Sequence, residues 1–367
     1  MRRPTQPGIT STEAVHGGAL RAPWSGDEHD PERSLFPAVR AAELRMAALE
    51  ATEDALLFAS GAAALTTALM SLTRAGDHVV LFRDCHRRTR QYVTAVLGRF
   101  GVSHTLVPHD SVSSLGEVVG PRTRVVVVES PAGPLLTCVD LPALAAACRS
   151  LGRPRILVDA TLATPFNARP ALLGADLVVH DASVHLAGRH DAGAGVVCGA
   201  SALLGPIRDL RGLSGGHGDP RAAALLDLGL STLALRMERL NATAFSVAQA
   251  LEGRPEIERV YYPMLPSHPS HAAAKRTLRG GGGVVSFVVK GGREAAARLI
   301  ERCELAQAGF PVGVETRIEP LALGLYAGLD DEQLAVVGVP PGLLRLAVGA
   351  EEPADILADL LRALGGL

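Results

Sequence analysis

Residues 156–197 constrain this chain more than any other stretch: ILVDATLATPFNARPALLGADLVVHDASVHLAGRHDAGAGVV. The stretch holds two short apolar runs, Ile156–Val158 and Leu177–Val179, each followed at once by acidic or polar residues. Continuous runs without alternation read as strands buried on both faces, as in the parallel sheets of α/β proteins. An open sheet of that kind presents its ligand crevice beyond the carboxyl ends of its strands. Asp159 and the segment from His180 to Ser183 are therefore where chemistry is to be sought.

The 367 residues, 47% of them hydrophobic, suffice for one large domain and a smaller second one. A formal net charge of −2 and the lack of any Lys/Arg-rich block argue against nucleic acid or an anionic membrane as partner. Apolar runs such as Val125–Val128 and Ala202–Leu204 are far too short to span a bilayer, and the residues from Met1 to Gly8 lack an apolar signal core. The expectation is a cytoplasmic protein. The five cysteines, Cys85, Cys138, Cys148, Cys198 and Cys303, show no CxxC spacing and fit reduced thiols. No metal site is expected from His180, His185, His190 and Asp191, because intervals of five do not align ligands on a helix face.

One compositional fact bears directly on chemistry. Lys275 and Lys290 are the only lysines, although lysine and arginine together number 36. A Schiff base needs a primary amine that can lose its proton, and a guanidinium stays charged. Residues 1–274 thus contain no side chain able to hold a carbonyl cofactor covalently.

Several segments then read together. They include Thr12-Glu-Ala-Val-His-Gly-Gly, Phe58-Ala-Ser60-Gly61-Ala62, Gly76-Asp77-His-Val-Val, Val158-Asp159-Ala-Thr, Leu225 through Met237, Ser267-His-Pro-x-His271, Gly281 through Gly292 and Leu344-Arg345-Leu-Ala-Val-Gly349. As a set, from about Thr12 to Leu361, they resemble the Cys/Met-metabolism family of pyridoxal-phosphate enzymes, the cystathionine γ-synthase and γ-lyase group. The resemblance implies an α/β protein of fold type I, with a mostly parallel large-domain sheet, helices on both its faces, and a smaller C-terminal α+β domain. The corresponding boundaries are a shortened N-terminal arm over 1–33, a large domain over 34–228 and a small domain over 229–367.

The same resemblance assigns expected roles to residues. Ser60, Gly61 and Ala62 open a helix whose free N–H groups favour a phosphate. His86 takes the place of the tyrosine that stacks on the cofactor ring, and Asp159 matches the carboxylate that keeps the pyridine nitrogen protonated. Asp181 replaces a serine that binds phosphate, Ser183 replaces a threonine, and a new cation such as Arg189 or Arg87 would be needed to offset Asp181. Arg33 matches an arginine that reaches the neighbouring subunit's phosphate, while Pro31 replaces that arm's tyrosine. Arg345 matches the arginine that pairs with a substrate carboxylate. Phe310 replaces a carboxylate-binding serine, and Gly133 an orienting asparagine. At the position of the catalytic lysine stands Val184, so no catalytic residue is expected.

Three functions are compatible with this pattern. The chain is a catalytically inactive family member that pairs with an active homologue; or its cleft is repurposed to hold pyridoxal phosphate or another anion without a covalent bond; or it performs conventional transsulfuration chemistry. Covalent cofactor binding is not expected, and the chain is expected to form a homodimer, a tetramer or a hetero-oligomer.

Overall fold

The apolar runs become strands buried along most of their length. The computed structural model describes residues 37–309 and 312–366. The chain divides into two units, one holding residues up to Ser130 together with Val139–Leu235, the other Pro131–Cys138 together with the chain from Arg236 onward.

The first unit is built on a seven-stranded sheet. Its strands are β1 (Asp54–Phe58), β2 (His78–Phe82), β3 (Ser103–Val107), β4 (Thr123–Glu129), β5 (Arg155–Asp159), β6 (Leu177–Asp181) and β7 (Gly195–Gly199), in the spatial order β1-β7-β6-β5-β4-β2-β3. Pairing is parallel from β3 through β6, whereas β7 runs antiparallel to both β6 and β1. Val125–Val128 of β4 are wholly buried, and β-branched residues suit a central strand covered on both faces. Register places Glu129 opposite Asp159, and Asp159 opposite Val179. Three adjacent strands therefore end in Glu129, Asp159 and Asp181 along one edge.

Two helices fix that edge. The helix Gly61–Leu72 follows β1 and packs against β6 and β7. The Ser60 hydroxyl caps it by accepting the Ala63 N–H at 3.1 Å. The helix Pro37–Glu50 turns Ala42, Met46 and Leu49 inward, at the spacing expected from sequence. It also carries buried charge: Glu43 accepts from the Leu57 N–H at 2.9 Å and from Arg211 at 2.8 Å. Beside it Asp54 accepts from Arg40 at 2.6 Å and from Arg208 at 2.8 Å. Such carboxylates are tolerated in a core because each meets a guanidinium.

The second unit has a five-stranded sheet in the order β10-β11-β12-β9-β8. These strands are β8 (Ile257–Tyr261), β9 (Val284–Val289), β10 (Gln307–Ala308), β11 (Arg317–Pro320) and β12 (Leu343–Ala347). All neighbours are antiparallel except β10 with β11. Residues 131–138 attach here through hydrogen bonds: Ser286 to the Pro134 carbonyl at 2.7 Å, the Cys138 N–H to Ser270 at 2.8 Å, and the His268 ring 3.0 Å from the Leu135 carbonyl. A large mostly parallel sheet plus a smaller mixed unit is the fold type that the sequence implied. No helix among the described residues is long and apolar enough to cross a membrane.

Candidate functional site

The carboxyl edge of β4, β5 and β6 gathers the sequence-derived residues of the first unit. Asp159 ends β5, and its Oδ1 accepts both the Thr161 N–H at 3.0 Å and the Thr161 hydroxyl at 2.5 Å. Burial pushes the Asp159 carboxyl up, against those two hydrogen bonds and the charges of His180 and His86, which pull it down. Thr161 also contacts the next strand, where its hydroxyl oxygen accepts the Asp181 N–H at 2.9 Å. Asp181 Oδ1 in turn accepts the Ser183 N–H at 3.1 Å and the Ser183 hydroxyl. The result is a short chain of polar contacts from Asp159 through Thr161 and Asp181 to Ser183.

Asp181 also lies against the start of the helix Gly61–Leu72. A Cβ built on Gly61 would stand 2.7 Å from Asp181 Cα and Cβ and 3.0 Å from its carboxyl carbon. Only glycine tolerates that approach. Ala62, the next residue of this first turn, is exposed. Val184 sits half-buried in the turn after β6, where its carbonyl accepts the Gly188 N–H at 2.6 Å.

On the β2 side, the His86 N–H donates to Glu129 Oε2 at 2.5 Å, and the His86 Nδ1 accepts the Arg88 N–H at 3.3 Å. That second bond makes the imidazole a helix cap. His109 Nδ1 lies 3.0 Å from Asp84 Oδ2. His180 turns away from the edge into the core, its Nε2 lying 2.6 Å from Glu50 Oε1. His185 is buried, His190 is exposed, and Arg189 pairs with Asp191 at 3.3 Å. Among the described residues no group of three His, Cys, Asp or Glu side chains could hold a metal ion.

In the second unit Arg345 lies on β12 between Glu319 of β11 and Ser286 of β9. Its Nη2 is 2.8 Å from Glu319 Oε2, both side chains being largely buried. A Cβ at Gly133 would lie 3.4 Å from Arg345 Nη1, in van der Waals contact with the guanidinium. Lys275 and Lys290 are both exposed, and Lys290 Nζ donates to the Pro255 carbonyl at 2.6 Å. Arg33 and Phe310 lie outside the described residues.

A family model described as Cys/Met metabolism PLP-dependent enzyme matches residues 14–365. The chain belongs to that family. The relatives of this Cys/Met-metabolism protein include cystathionine gamma-synthase 1, chloroplastic, of Arabidopsis thaliana, 37% identical over 324 residues that cover 88% of this chain and 57% of the relative. They also include L-methionine gamma-lyase of Pseudomonas putida, 35% identical over 372 residues covering 95% and 93%, and cystathionine gamma-lyase of Dictyostelium discoideum, 37% identical over 339 residues covering 92% and 87%. The chain thus spans less than two thirds of the two chloroplastic synthases, of Arabidopsis and tobacco, at 57% and 60% of their lengths.

Against the family's cofactor the residues of this Cys/Met-metabolism chain divide. Asp159 ends β5 with its Oδ1 bonded to Thr161, and Ser60 opens a helix. A phosphate at that first turn would meet the Asp181 carboxylate, which has no ion-pair partner among the described residues. No lysine belongs to the unit that carries this edge. The residues do not fit a phosphorylated aldehyde held through an amine. Thr161, Glu129, Glu50 and Glu319 were not singled out from sequence. Thr161 had a local signal, a hydroxyl two positions after an aspartate; Glu319 had none, since it reaches Arg345 only through strand register.

Proposed function

We propose that this chain is a non-catalytic member of its family, a partner subunit for a catalytically complete relative in sulfur amino-acid or specialised metabolism. The observation that carries this reading is the distribution of amines. The unit holding Asp159, Asp181 and Ser183 has none, and both lysines are exposed on the other unit. Val184 stands at the position that the family resemblance gives to the lysine, and a branched apolar side chain can neither form an imine nor move a proton. Conventional synthase or lyase chemistry, of the kind named for the relatives, is therefore not assigned to it.

The test is to record the visible spectrum of the protein as purified, without added pyridoxal phosphate, reduce it with borohydride and map the peptides. No visible cofactor band and no pyridoxylated peptide are expected. A pyridoxyl-lysine at Lys275 or Lys290 would overturn the reading.

A second reading keeps the cleft in use without a covalent bond. It is favoured by Asp159, whose carboxylate is retained at the end of β5 and held in place by Thr161. The two readings differ in partner. A cytoplasmic helper should enter a mixed oligomer with an active homologue, to which Arg33 would be lent, whereas a repurposed cleft needs only a homodimer or tetramer. Native mass spectrometry of the chain alone and co-expressed with an encoded homologue separates them. A homodimer that ignores the homologue, with Arg33→Ala leaving the homologue's turnover unchanged, removes the helper.

A further inference from the structure

We propose that Asp181 is a specificity-determining residue that supplies the first turn of the helix Gly61–Leu72 with an internal anion and thereby keeps phosphate-bearing ligands out of the first unit. The inference deepens the non-catalytic reading and rests on it. It also goes further, because absence of a lysine forbids an imine but leaves a phosphorylated ligand free to bind without one.

The geometry has three parts. The Asp181 carboxyl carbon lies 3.0 Å from where a Gly61 Cβ would be, so the charged group abuts the first turn itself. A helix start carries partial positive charge and favours an anion there, whether it comes from a ligand or from the protein. Secondly, the side chain is tethered. Its Oδ1 accepts both the N–H and the hydroxyl of Ser183, and its backbone N–H is held by Thr161 at 2.9 Å. Swinging away to admit a phosphate would break the Ser183 bonds.

Thirdly, no cation among the described residues pairs with it. Arg189, the nearest candidate in sequence, is exposed and pairs with Asp191 at 3.3 Å. Among the described residues Asp181 has no ion pair, so a phosphate at this turn would meet a like charge with no neutralising partner. The second unit shows the same substitution independently, Glu319 occupying Arg345 at 2.8 Å.

The experiment uses the full-length chain as wild type, Asp181→Asn and Asp181→Ser, titrated calorimetrically with inorganic phosphate and, separately, with pyridoxal 5′-phosphate. Asparagine keeps the size and the Ser183 bonds while removing the charge; serine is the second variant should asparagine perturb folding, which circular dichroism checks. Wild type is expected to give no saturable heat with either probe. Removing the charge should tighten both by at least about tenfold, the lower end for one partly screened like-charge contact. Wild-type binding as tight as that of the variants overturns the inference, and so do folded variants that bind neither probe. Neither result touches the non-catalytic reading, which fails only if borohydride traps a pyridoxyl-lysine.

Discussion

His180 Nε2 lies 2.6 Å from Glu50 Oε1, and both side chains are completely buried. The contact joins the end of β6 to the last residue of the helix Pro37–Glu50, and so ties the strand carrying Asp181 to the unit's first described helix. A buried pair gains little over apolar packing, but removing one member strands the other. Glu50→Ala is expected to cost about 3–5 kcal/mol, read from the urea midpoint at unchanged slope. The double variant Glu50→Leu with His180→Leu should recover much of that loss. A double variant no more stable than Glu50→Ala would show that the loss does not come from stranding the buried histidine.

Val184→Lys places an amine in the turn after β6 but leaves Asp181 against the helix start and Gly133 without a side chain. The single variant is expected to show no visible cofactor band and no β- or γ-elimination. Combined with Asp181→Ser, it should yield a borohydride-stable pyridoxyl-lysine at position 184 by peptide mapping. Efficient elimination by Val184→Lys alone would mean that the remainder of the site is intact.

The imidazole of His109 is raised, first by its hydrogen bond to Asp84 and then by that carboxylate's charge, against an opposing effect of burial. A raised folded value means that protonation favours the native state. Its stabilisation is full below the unfolded value of about 6.5 and disappears as pH rises through the folded value. With both side chains roughly a quarter to a third exposed, the effect should not exceed about 1 kcal/mol. His109→Asn should therefore be less stable than wild type in mild acid and equal to it in mild alkali. NMR titration of the His109 ring provides the direct check.

Burial pushes the Cys148 thiol up to about 11 and the Cys303 thiol up to about 12, and raises Cys85 and Cys198 well above the usual range. None of the five cysteines is joined in a disulfide. Since the thiolate is the reactive form, these four should react with an aromatic disulfide reagent only slowly in the native state and promptly in denaturant. Rapid native labelling of Cys85 or Cys198 would show that the core of the first unit opens locally.

How far the site could be read in advance depended on the range of each interaction. Ser60-Gly61 announced a capped helix because capping acts within three residues, and the Ser60 bond to Ala63 follows that rule. Asp181 could be recognised as a charge where a neutral hydroxyl was expected. Whether Arg189 neutralised it could not, since that depends on a loop whose arginine pairs with Asp191 instead. Arg345 read as a free carboxylate receptor because its partner, Glu319, is far away in sequence and becomes its neighbour only when β11 and β12 pair.

The sequence alone determined the family, the two kinds of sheet and the confinement of lysine to positions 275 and 290, because apolar periodicity, turn residues and the identity of a side chain are local properties. The pairing of charges was decided by tertiary structure. Strand register set Glu319 beside Arg345, and close packing of Gly61 on β6 set the Asp181 carboxylate against a helix start. Electrostatic interaction falls off with distance in space rather than along the chain, so only the folded backbone could say which anion each cationic site would meet.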